Sequence, residues 1–208
     1  MIHGNNEAAS PPIVLVIMGS IRANRRCPTI AEWIVGIART IPRIAWELVD
    51  LAGWNLPMDD EPDIPASGIY IQEHTRAWSS KIAGAAGLIF VTPQYNWGYP
   101  APLKNAIDHL HREWRGKPLL IVTYGSRGGG KCAAQLRQIA EGLEMKVVPT
   151  MPALALSIDV IRGAPLDPGH ELKGQIGPVQ QGLAELAVML DAGGPDPQHR
   201  ATAPSDNA

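Results

Sequence analysis

The sequence contains little cysteine and no long apolar run, and both absences narrow what the protein can be. Only two of its 208 residues are cysteine, Cys27 and Cys132, which excludes a disulfide framework and a Cys/His metal-binding spacing. Its longest apolar runs, such as IVLVIM and LLIVTY, fall far short of the roughly 18 residues that a membrane span needs. The first residues show neither the basic start nor the apolar stretch of a signal peptide. We therefore expect a cytoplasmic protein without membrane contact.

A strong excess of charge of one sign is also absent. The formal net charge is -2, and the 18 lysines and arginines are scattered rather than gathered into a run, so nothing favours a nucleic-acid partner. The chain is 45% hydrophobic, which is enough to bury the core of one domain. A small molecule is the expected ligand.

Short apolar runs alternate with segments of helical spacing along most of the chain. Five runs have the length of buried strands, and they begin near residues 13, 44, 87, 118 and 146. This alternation predicts an α/β fold with a five-stranded parallel sheet and helices on both faces. We assign the fold to residues 13–191 and expect the polar ends, 1–12 and 192–208, to be disordered tails.

The loop after the first run has the composition of a phosphate site. In an open parallel sheet, ligands bind beyond the carboxyl ends of the strands, where the strand order reverses. This loop reads GSIRANRRCP and offers a turn glycine, a hydroxyl and three guanidinium groups ahead of a helix. Such donors, together with the positive end of the helix, suit a phosphate. A solvated basic turn is the alternative interpretation.

The loop after the third run, TPQYNWGYPAP, combines amides, aromatic rings and prolines. The amides of Gln94 and Asn96 can recognise the polar edge of a planar heterocycle, and Tyr95 and Trp97 offer flat apolar walls. The prolines hold such a loop in shape before a ligand binds. The alternative is a stiff loop whose aromatic rings fill the core, and for Tyr99 the two interpretations are equally good.

The loop after the fourth run, GSRGGGKC, matches the G-x-x-x-x-G-K-[ST] phosphate loop of nucleoside triphosphatases except at its last residue. Cys132 stands where the hydroxyl that binds magnesium is required, and a thiol is a poor ligand for this hard ion. The motif also follows the fourth run, although phosphate loops of this kind usually follow the first. Its glycines instead predict a turn whose backbone N–H groups approach a flat ring.

Four segments of the chain carry a resemblance when they are taken together: GSIRANRRCPTIAEW, HTRAWSSKI, TPQYNWGYPAPLKNAIDHL and EWRGKPLLIVTYGSRGGGKCAAQL. In this combination and order the sequence resembles the NADPH-dependent FMN reductase family, and within it the fungal FMN-containing NAD(P)H:quinone reductases. The resemblance covers roughly residues 13–155. It implies a flavodoxin-like three-layer sandwich, bound FMN, NADPH or NADH as electron donor, and a homodimer.

The resemblance also implies which residues contact FMN. Its phosphate is assigned to Gly19, Ser20 and Arg22. Its isoalloxazine ring and ribityl chain are assigned to Pro93, Gln94, Tyr95, Asn96 and Trp97. The pyrimidine edge of the ring is assigned to Tyr124, Gly125, Ser126 and Gly129. Many family members have Glu at the position of Gln94, so the neutral amide excludes a carboxylate role there.

These features predict an enzyme in which FMN carries hydride from NAD(P)H to a quinone or similar acceptor in a ping-pong reaction, with no catalytic side chain. Free flavin, azo compounds and a quinone-like biosynthetic intermediate remain alternative acceptors. A protein of another class, a flavin-bound redox sensor that acts on a protein partner with low turnover, also remains open.

No metal site is predicted from the sequence. His109 and His111 lie two apart in a segment of helical spacing, so their side chains point about 200° apart and cannot share an ion. Cys27 has two interpretations: a redox switch with a lowered thiol pKa, or a small buried residue beside the phosphate loop. For Cys132 the choice between a functional and a structural interpretation is also undecided.

Overall fold

The architecture is an alternation of strands and helices, seen in a computed structural model that describes residues 10–58 and 60–192. The strands are β1 (Ile13–Met18), β2 (Ala45–Asp50), β3 (Gly87–Pro93), β4 (Pro118–Gly125), β5 (Lys146–Val147) and β6 (Ala153–Ala155). The α-helices are α1 (Cys27–Ala38), α2 (Leu51–Trp54), α3 (Glu73–Ala83), α4 (Ala101–Asp108), α5 (Gly130–Gly142), α6 (Ile158–Arg162), α7 (Pro168–Glu171) and α8 (Ile176–Ala192).

The strands form one parallel sheet in the order β2-β1-β3-β4-β5, and β6 pairs with the end of β4. β1, β3 and β4 are buried along nearly their whole length, because their alternate side chains belong to cores on opposite faces. One core lies against α1 and α8, and the other lies against α3, α4 and α5. The predicted α/β class, a flavodoxin-like three-layer sandwich, is confirmed.

The segment predicted as a single fifth strand forms two short strands instead. β5 pairs with the start of β4, and β6 pairs with its end. Pro149 and Pro152 lie between the two, and a proline has no backbone N–H to donate to a neighbouring strand. The carbonyl of Pro152 still accepts a hydrogen bond of 2.9 Å from the N–H of Thr123. The sheet therefore continues along β4 on both sides of the interruption.

The core contains the aromatic and apolar residues that helical spacing predicted. The four residues predicted from helical spacing to lie in the core after the third strand are all buried: Leu103, Ile107, Leu110 and Trp114. Trp54 packs edge-on against the buried Trp78, with ring centroids 4.8 Å apart. Tyr99 packs against the same core, and burial raises its pKa to about 12. The core interpretation of Tyr99 is therefore the better one.

The predicted ends of the domain fall at the limits of what the structure describes. The tails 1–12 and 192–208 lie almost entirely outside the described residues, so their disorder stays a prediction, as does the domain boundary at 13–191. The last helix, predicted near 170–190, is divided into α7, a 3-10 turn (Lys173–Gln175) and α8. Within residues 10–58 and 60–192, no helix combines the length and apolar character that crossing a membrane requires.

Candidate cofactor-binding site

The three loops that the sequence singled out meet at one edge of the sheet. The strand order reverses between β1 and β3, so the loops after β1, β3 and β4 leave the sheet side by side. The hydroxyls of Ser20 and Tyr95 lie 3.0 Å apart and join the first loop to the second. The side-chain oxygen of Gln94 accepts a hydrogen bond of 3.1 Å from the N–H of Cys132, which joins the second loop to the third. Residues from three distant segments thus form one site.

The loop after β1 combines a tight turn with free backbone donors. A Cβ at Gly19 would lie 2.9 Å from the hydroxyl of Thr92, so a side chain there has no room. Ser20 is fully buried although its hydroxyl is polar. α1 then begins at Cys27 with no side-chain cap and no acidic residue in its first turn. Its uncapped N–H groups, at the positive end of the helix dipole, favour an anion.

The three arginines of this loop have different partners. Arg25 forms an ion pair of 2.5 Å with Asp50, at the end of β2. Arg26 donates to a backbone carbonyl of α6 at 3.1 Å. Arg22 instead lies over the ring of Tyr95, 4.0 Å from its centroid, and it is exposed and pairs with no carboxylate in the described part of the chain. Of the three, Arg22 is therefore the one placed to meet an anionic ligand.

The loop after β3 is a tight turn that holds an aromatic ring in solvent. The backbones of Tyr95 and Gly98 exchange hydrogen bonds of 2.8 and 3.0 Å, and Asn96 and Trp97 between them have φ of 47° and 71°. A left-handed backbone costs a residue such as Trp about 1–2 kcal/mol, and such strain concentrates at functional sites. The side chain of Trp97 is 58% exposed, and the ammonium of Lys131 lies 4.7 Å from its ring centroid.

Gln94 links the end of β3 to the start of α5. It follows Pro93, the buried last residue of β3, and its N–H donates to the carbonyl of Tyr124 at 2.9 Å. Its side-chain oxygen accepts from Cys132, the third residue of α5, so the amide nitrogen is the group left for a ligand. A triphosphate loop needs the first backbone N–H groups of the following helix to bind phosphate. Here one of these groups, the N–H of Cys132, already donates to Gln94. This contact argues against the triphosphatase interpretation.

Two glycines of the loop after β4 are required by the fold. Gly128 and Gly129 have φ of 77° and 91°, which L side chains rarely adopt. A Cβ at Gly128 would lie 2.6 Å from the carbonyl oxygen of Ala153, and one at Gly129 would lie 3.0 Å from the side chain of Thr123. Gly129 was predicted as a site residue and Gly128 was not, because a run of three glycines does not reveal which of them approaches a neighbouring strand.

Gly125 and Ser126 differ from those two glycines, since they face open space. The nearest atom to a Cβ at Gly125 would be the Cβ of Gln94, 4.0 Å away, so the fold itself does not require glycine there. Ser126 is exposed and lies in a turn closed by a hydrogen bond of 3.1 Å from the N–H of Gly128 to the carbonyl of Gly125. The absence of a side chain at Gly125 leaves room for a ligand beside the turn.

Tyr124 and Cys27 lie beneath the first loop and are both buried. The thiol of Cys27 donates to the carbonyl of Val91 at 3.0 Å, and burial raises its pKa to about 11, against smaller opposing effects that come first from Tyr124 and last from Arg25. Burial likewise raises the pKa of Cys132 to about 12. Both thiols are therefore protonated near neutral pH, which favours the interpretation of Cys27 as a small buried residue rather than a redox switch.

The hydroxyl of Tyr124 also bears on ligand binding. It lies close to the thiol of Cys27 but has no hydrogen bond of good geometry among the described residues. An unsatisfied buried hydroxyl costs about 1–3 kcal/mol, so its position under the loop of Ser20 fits a site that a ligand completes. The side chain of Tyr124 belongs to the core cluster beside α1, and Tyr124 is not among the residues that line the open cavity between the second and third loops.

A cavity of about 680 Å³ lies between the second and third loops, a volume typical of small-molecule sites. Its lining includes four of the predicted residues and three others: Gln94, Asn96, Trp97, Ser126, Arg127, Gly130 and Lys131. The cations Arg127 and Lys131 were not predicted, because isolated basic residues in a glycine-rich loop give no signal in the sequence. An open cavity of this volume beside free anion donors has the features that FMN requires, namely room for a planar ring and a phosphate site.

Comparison with known proteins agrees with this geometry. The model of the NADPH-dependent FMN reductase family matches residues 12–157. An NAD(P)H-dependent FMN reductase of Schizosaccharomyces pombe is 52% identical over 183 residues, which cover 87% of this chain and 92% of that protein. A quinone reductase of Escherichia coli is 35% identical over 127 residues, which cover 54% of this chain and 64% of that protein.

The fold is shared with solved protein structures. An oxidoreductase from Corynebacterium diphtheriae superposes with a TM-score of 0.65 at 16% identity, and the match covers 88% of this chain and 99% of that one. The family match spans all three loops of the site, and the sheet supplies the strand order on which they depend. The chain therefore belongs to the NADPH-dependent FMN reductase family and is an FMN-dependent NAD(P)H oxidoreductase.

Proposed function

We propose that the protein transfers hydride from NADPH or NADH to a quinone or a similar acceptor by a ping-pong reaction. The observation that carries the proposal is the open cavity between the second and third loops, which the contact of Ser20 with Tyr95 joins to the first loop. Both substrates would use it in turn, because each would have to place its ring against the same bound flavin. When bound, FMN would supply the hydride-transfer chemistry itself.

The phosphate end of the cofactor would be held by the loop after β1. Arg22 would pair with the phosphate, and Ser20, fixed by its contact with Tyr95, would donate its hydroxyl. The uncapped N–H groups of α1 would add to the same positive field. Arg25, already paired with Asp50, would hold the loop in place rather than bind the ligand.

The ring end of the cofactor would be held by the other two loops. The amide nitrogen of Gln94 would donate to the ring, since its oxygen is committed to α5. The N–H groups of the turn from Gly125 to Gly129, other than that of Gly128, which is bonded to Gly125, would stabilise negative charge at the pyrimidine edge, as oxyanion-hole donors do. Arg127 and Lys131, on the rim of the cavity, would attract the phosphates of NAD(P)H.

Spectroscopy and steady-state kinetics test this function. We expect the purified protein to bind FMN, to be reduced anaerobically by NADPH or NADH, and to be reoxidised by a quinone. Initial rates at several fixed quinone concentrations should give parallel double-reciprocal lines, which are typical of a ping-pong reaction. Intersecting lines would contradict the shared cavity, and a reduced enzyme that no quinone reoxidises would favour the redox-sensor alternative.

We also propose a homodimer in the cytoplasm. Four large apolar side chains are exposed in the segment between α2 and α3: Met58, Ile64, Ile69 and Ile71. Exposed apolar groups that lie together favour a protein–protein contact. Two buried, unpaired cysteines are compatible with a reducing compartment.

Light scattering tests the dimer. We expect a mass of twice 22.3 kDa, and we expect Ile69→Glu to reduce it toward that of one chain, because a buried carboxylate would oppose association. Val188→Glu, at an equally exposed apolar residue of α8, is the matched control and should leave the mass unchanged. If Val188→Glu reduces the measured mass and Ile69→Glu does not, the dimer interface lies at α8 instead.

A further inference from the structure

Three potential metal ligands converge on the side of the sheet that carries α3 and α4. They are Asp60, which precedes α3, His74 of α3, and His109, which follows α4. Their ligand atoms all lie within 4.8 Å of one another. The sequence excluded an ion shared by His109 and His111, but the fold brings His109 to other partners. We infer that Asp60, His74 and His109 bind a divalent transition-metal ion, Zn²⁺ by the nature of the ligands.

His109 is prepared for this role by its second ring nitrogen. The side chain is buried, with 7% of the residue exposed, and its Nε2 lies 2.8 Å from the carbonyl oxygen of Pro57. A carbonyl only accepts, so Nε2 carries the proton and Nδ1 carries the lone pair. The hydroxyl of Thr75 is the polar group next to Nδ1, at the long distance of 3.3 Å. Metal-bound histidines commonly donate their other N–H to a carbonyl in this way.

His74 and Asp60 are already near the spacing of two ligands on one ion. The Nε2 of His74 lies 3.1 and 3.0 Å from the two carboxylate oxygens of Asp60, and the rings of His74 and His109 lie edge to face with centroids 5.9 Å apart. Ligands at 2.0–2.2 Å in a tetrahedral zinc site are about 3.3 Å from each other. Small side-chain rotations of the half-buried His74 and Asp60 would therefore close the site.

The backbone around Asp60 is fixed by its neighbours. The carbonyl of Asp60 accepts from the side-chain amide of Gln72 at 3.1 Å. The carboxylate of Glu61 accepts from the N–H groups of Ile71 and Gln72, both at 3.0 Å. These contacts tie Asp60 and Glu61 to Ile71 and Gln72, the two residues immediately before α3. Two of the three ligands are thus held in register before an ion binds.

The surrounding charge also favours a cation. A cavity of about 630 Å³ adjoins the cluster, and its lining includes Asp60 and His109 together with Glu61, Asp63 and Asp108. Asp108 pairs with Lys104, but no lysine or arginine of the described chain lines the cavity. The cavity gives water access to the fourth position of a tetrahedral ion. Two imidazoles and one carboxylate suit Zn²⁺ better than Mg²⁺ or Ca²⁺, which prefer oxygen ligands.

Titration of the full, tag-free chain with Zn²⁺ after EDTA treatment tests the site. Calorimetry should show one ion per chain, and a hundredfold excess of Zn²⁺ over its Kd should raise Tm by about 5–10 °C. Asp60→Asn and His74→Gln should abolish the shift in Tm. These two side chains are only half buried, so both variants should keep the wild-type Tm in EDTA. Co²⁺ should give the visible absorption of a tetrahedral ion with the wild type and not with His74→Gln.

His111→Gln is the matched control, since His111 is exposed and two residues from His109. It should retain both the stoichiometry and the shift in Tm. The inference is overturned if the wild type shows no shift, if Asp60→Asn and His74→Gln retain it, or if His111→Gln loses it. FMN content, measured in the same samples, should be equal in all variants, because the cofactor loops contribute none of the three ligands.

Discussion

Replacing Arg22 with alanine is expected to weaken FMN binding by about 10- to 150-fold, while riboflavin binding should change little. A hydrogen bond to a charged group contributes about 1.5–3 kcal/mol, and the guanidinium group of Arg22 is the one in its loop that has no ion-pair or hydrogen-bond partner in the described chain. Riboflavin lacks the phosphate, so it isolates this contact from the ring contacts. Fluorescence titration of the apoprotein with both ligands gives the two dissociation constants.

Arg39→Ala provides the control for loss of positive charge. Arg39 is exposed at the opposite end of α1, so its removal changes the net charge equally without touching the loop. FMN binding by this variant should remain within about twofold of the wild type, because surface charges a Debye length apart are largely screened. An equal loss of FMN and riboflavin binding in Arg22→Ala would show that Arg22 acts by holding the ring of Tyr95 rather than by binding phosphate.

The sheet could be predicted from sequence because its central strands are buried on both faces. Such strands read as continuous apolar runs, and IVLVIM, GLIFVT and PLLIVTY all became strands. The run predicted as the fifth strand, after residue 146, contains Pro149 and Pro152 and is divided into β5 and β6. Which parts of that run pair with β4 depends on the position of the prolines against the neighbouring strand, which the run alone does not reveal.

The three loops of the site could also be predicted from the sequence. The different roles of residues of the same type within a loop could not. Arg22, Arg25 and Arg26 look equivalent in sequence, and they are distinguished by Asp50 and α6, which come from distant segments. The cluster of His109 has no local pattern, because its ligands come from three segments that only the fold brings together.

The largest loss of stability is expected from Gly128→Ala. At φ of 77° an alanine costs about 1–2 kcal/mol. Its Cβ would also lie 2.6 Å from the backbone oxygen of Ala153, and relieving such a clash costs about 1–3 kcal/mol. The sum of about 3 kcal/mol corresponds to a Tm lower by about 6–12 °C for a chain of this size. Thermal unfolding followed by circular dichroism, without FMN, measures the change.

Gly116→Ala separates the two causes of that loss. Gly116 has nearly the same φ, 73°, but no atom lies within 4 Å of a Cβ at this position, so its variant should lose only the backbone term of about 1–2 kcal/mol. The difference between the two variants then measures the contact between the turn and β6. Equal losses would mean that the turn moves away from Ala153 without cost. In that case its N–H groups would not be held rigidly enough to stabilise charge on a bound ring, because such stabilisation depends on donors that are fixed beforehand.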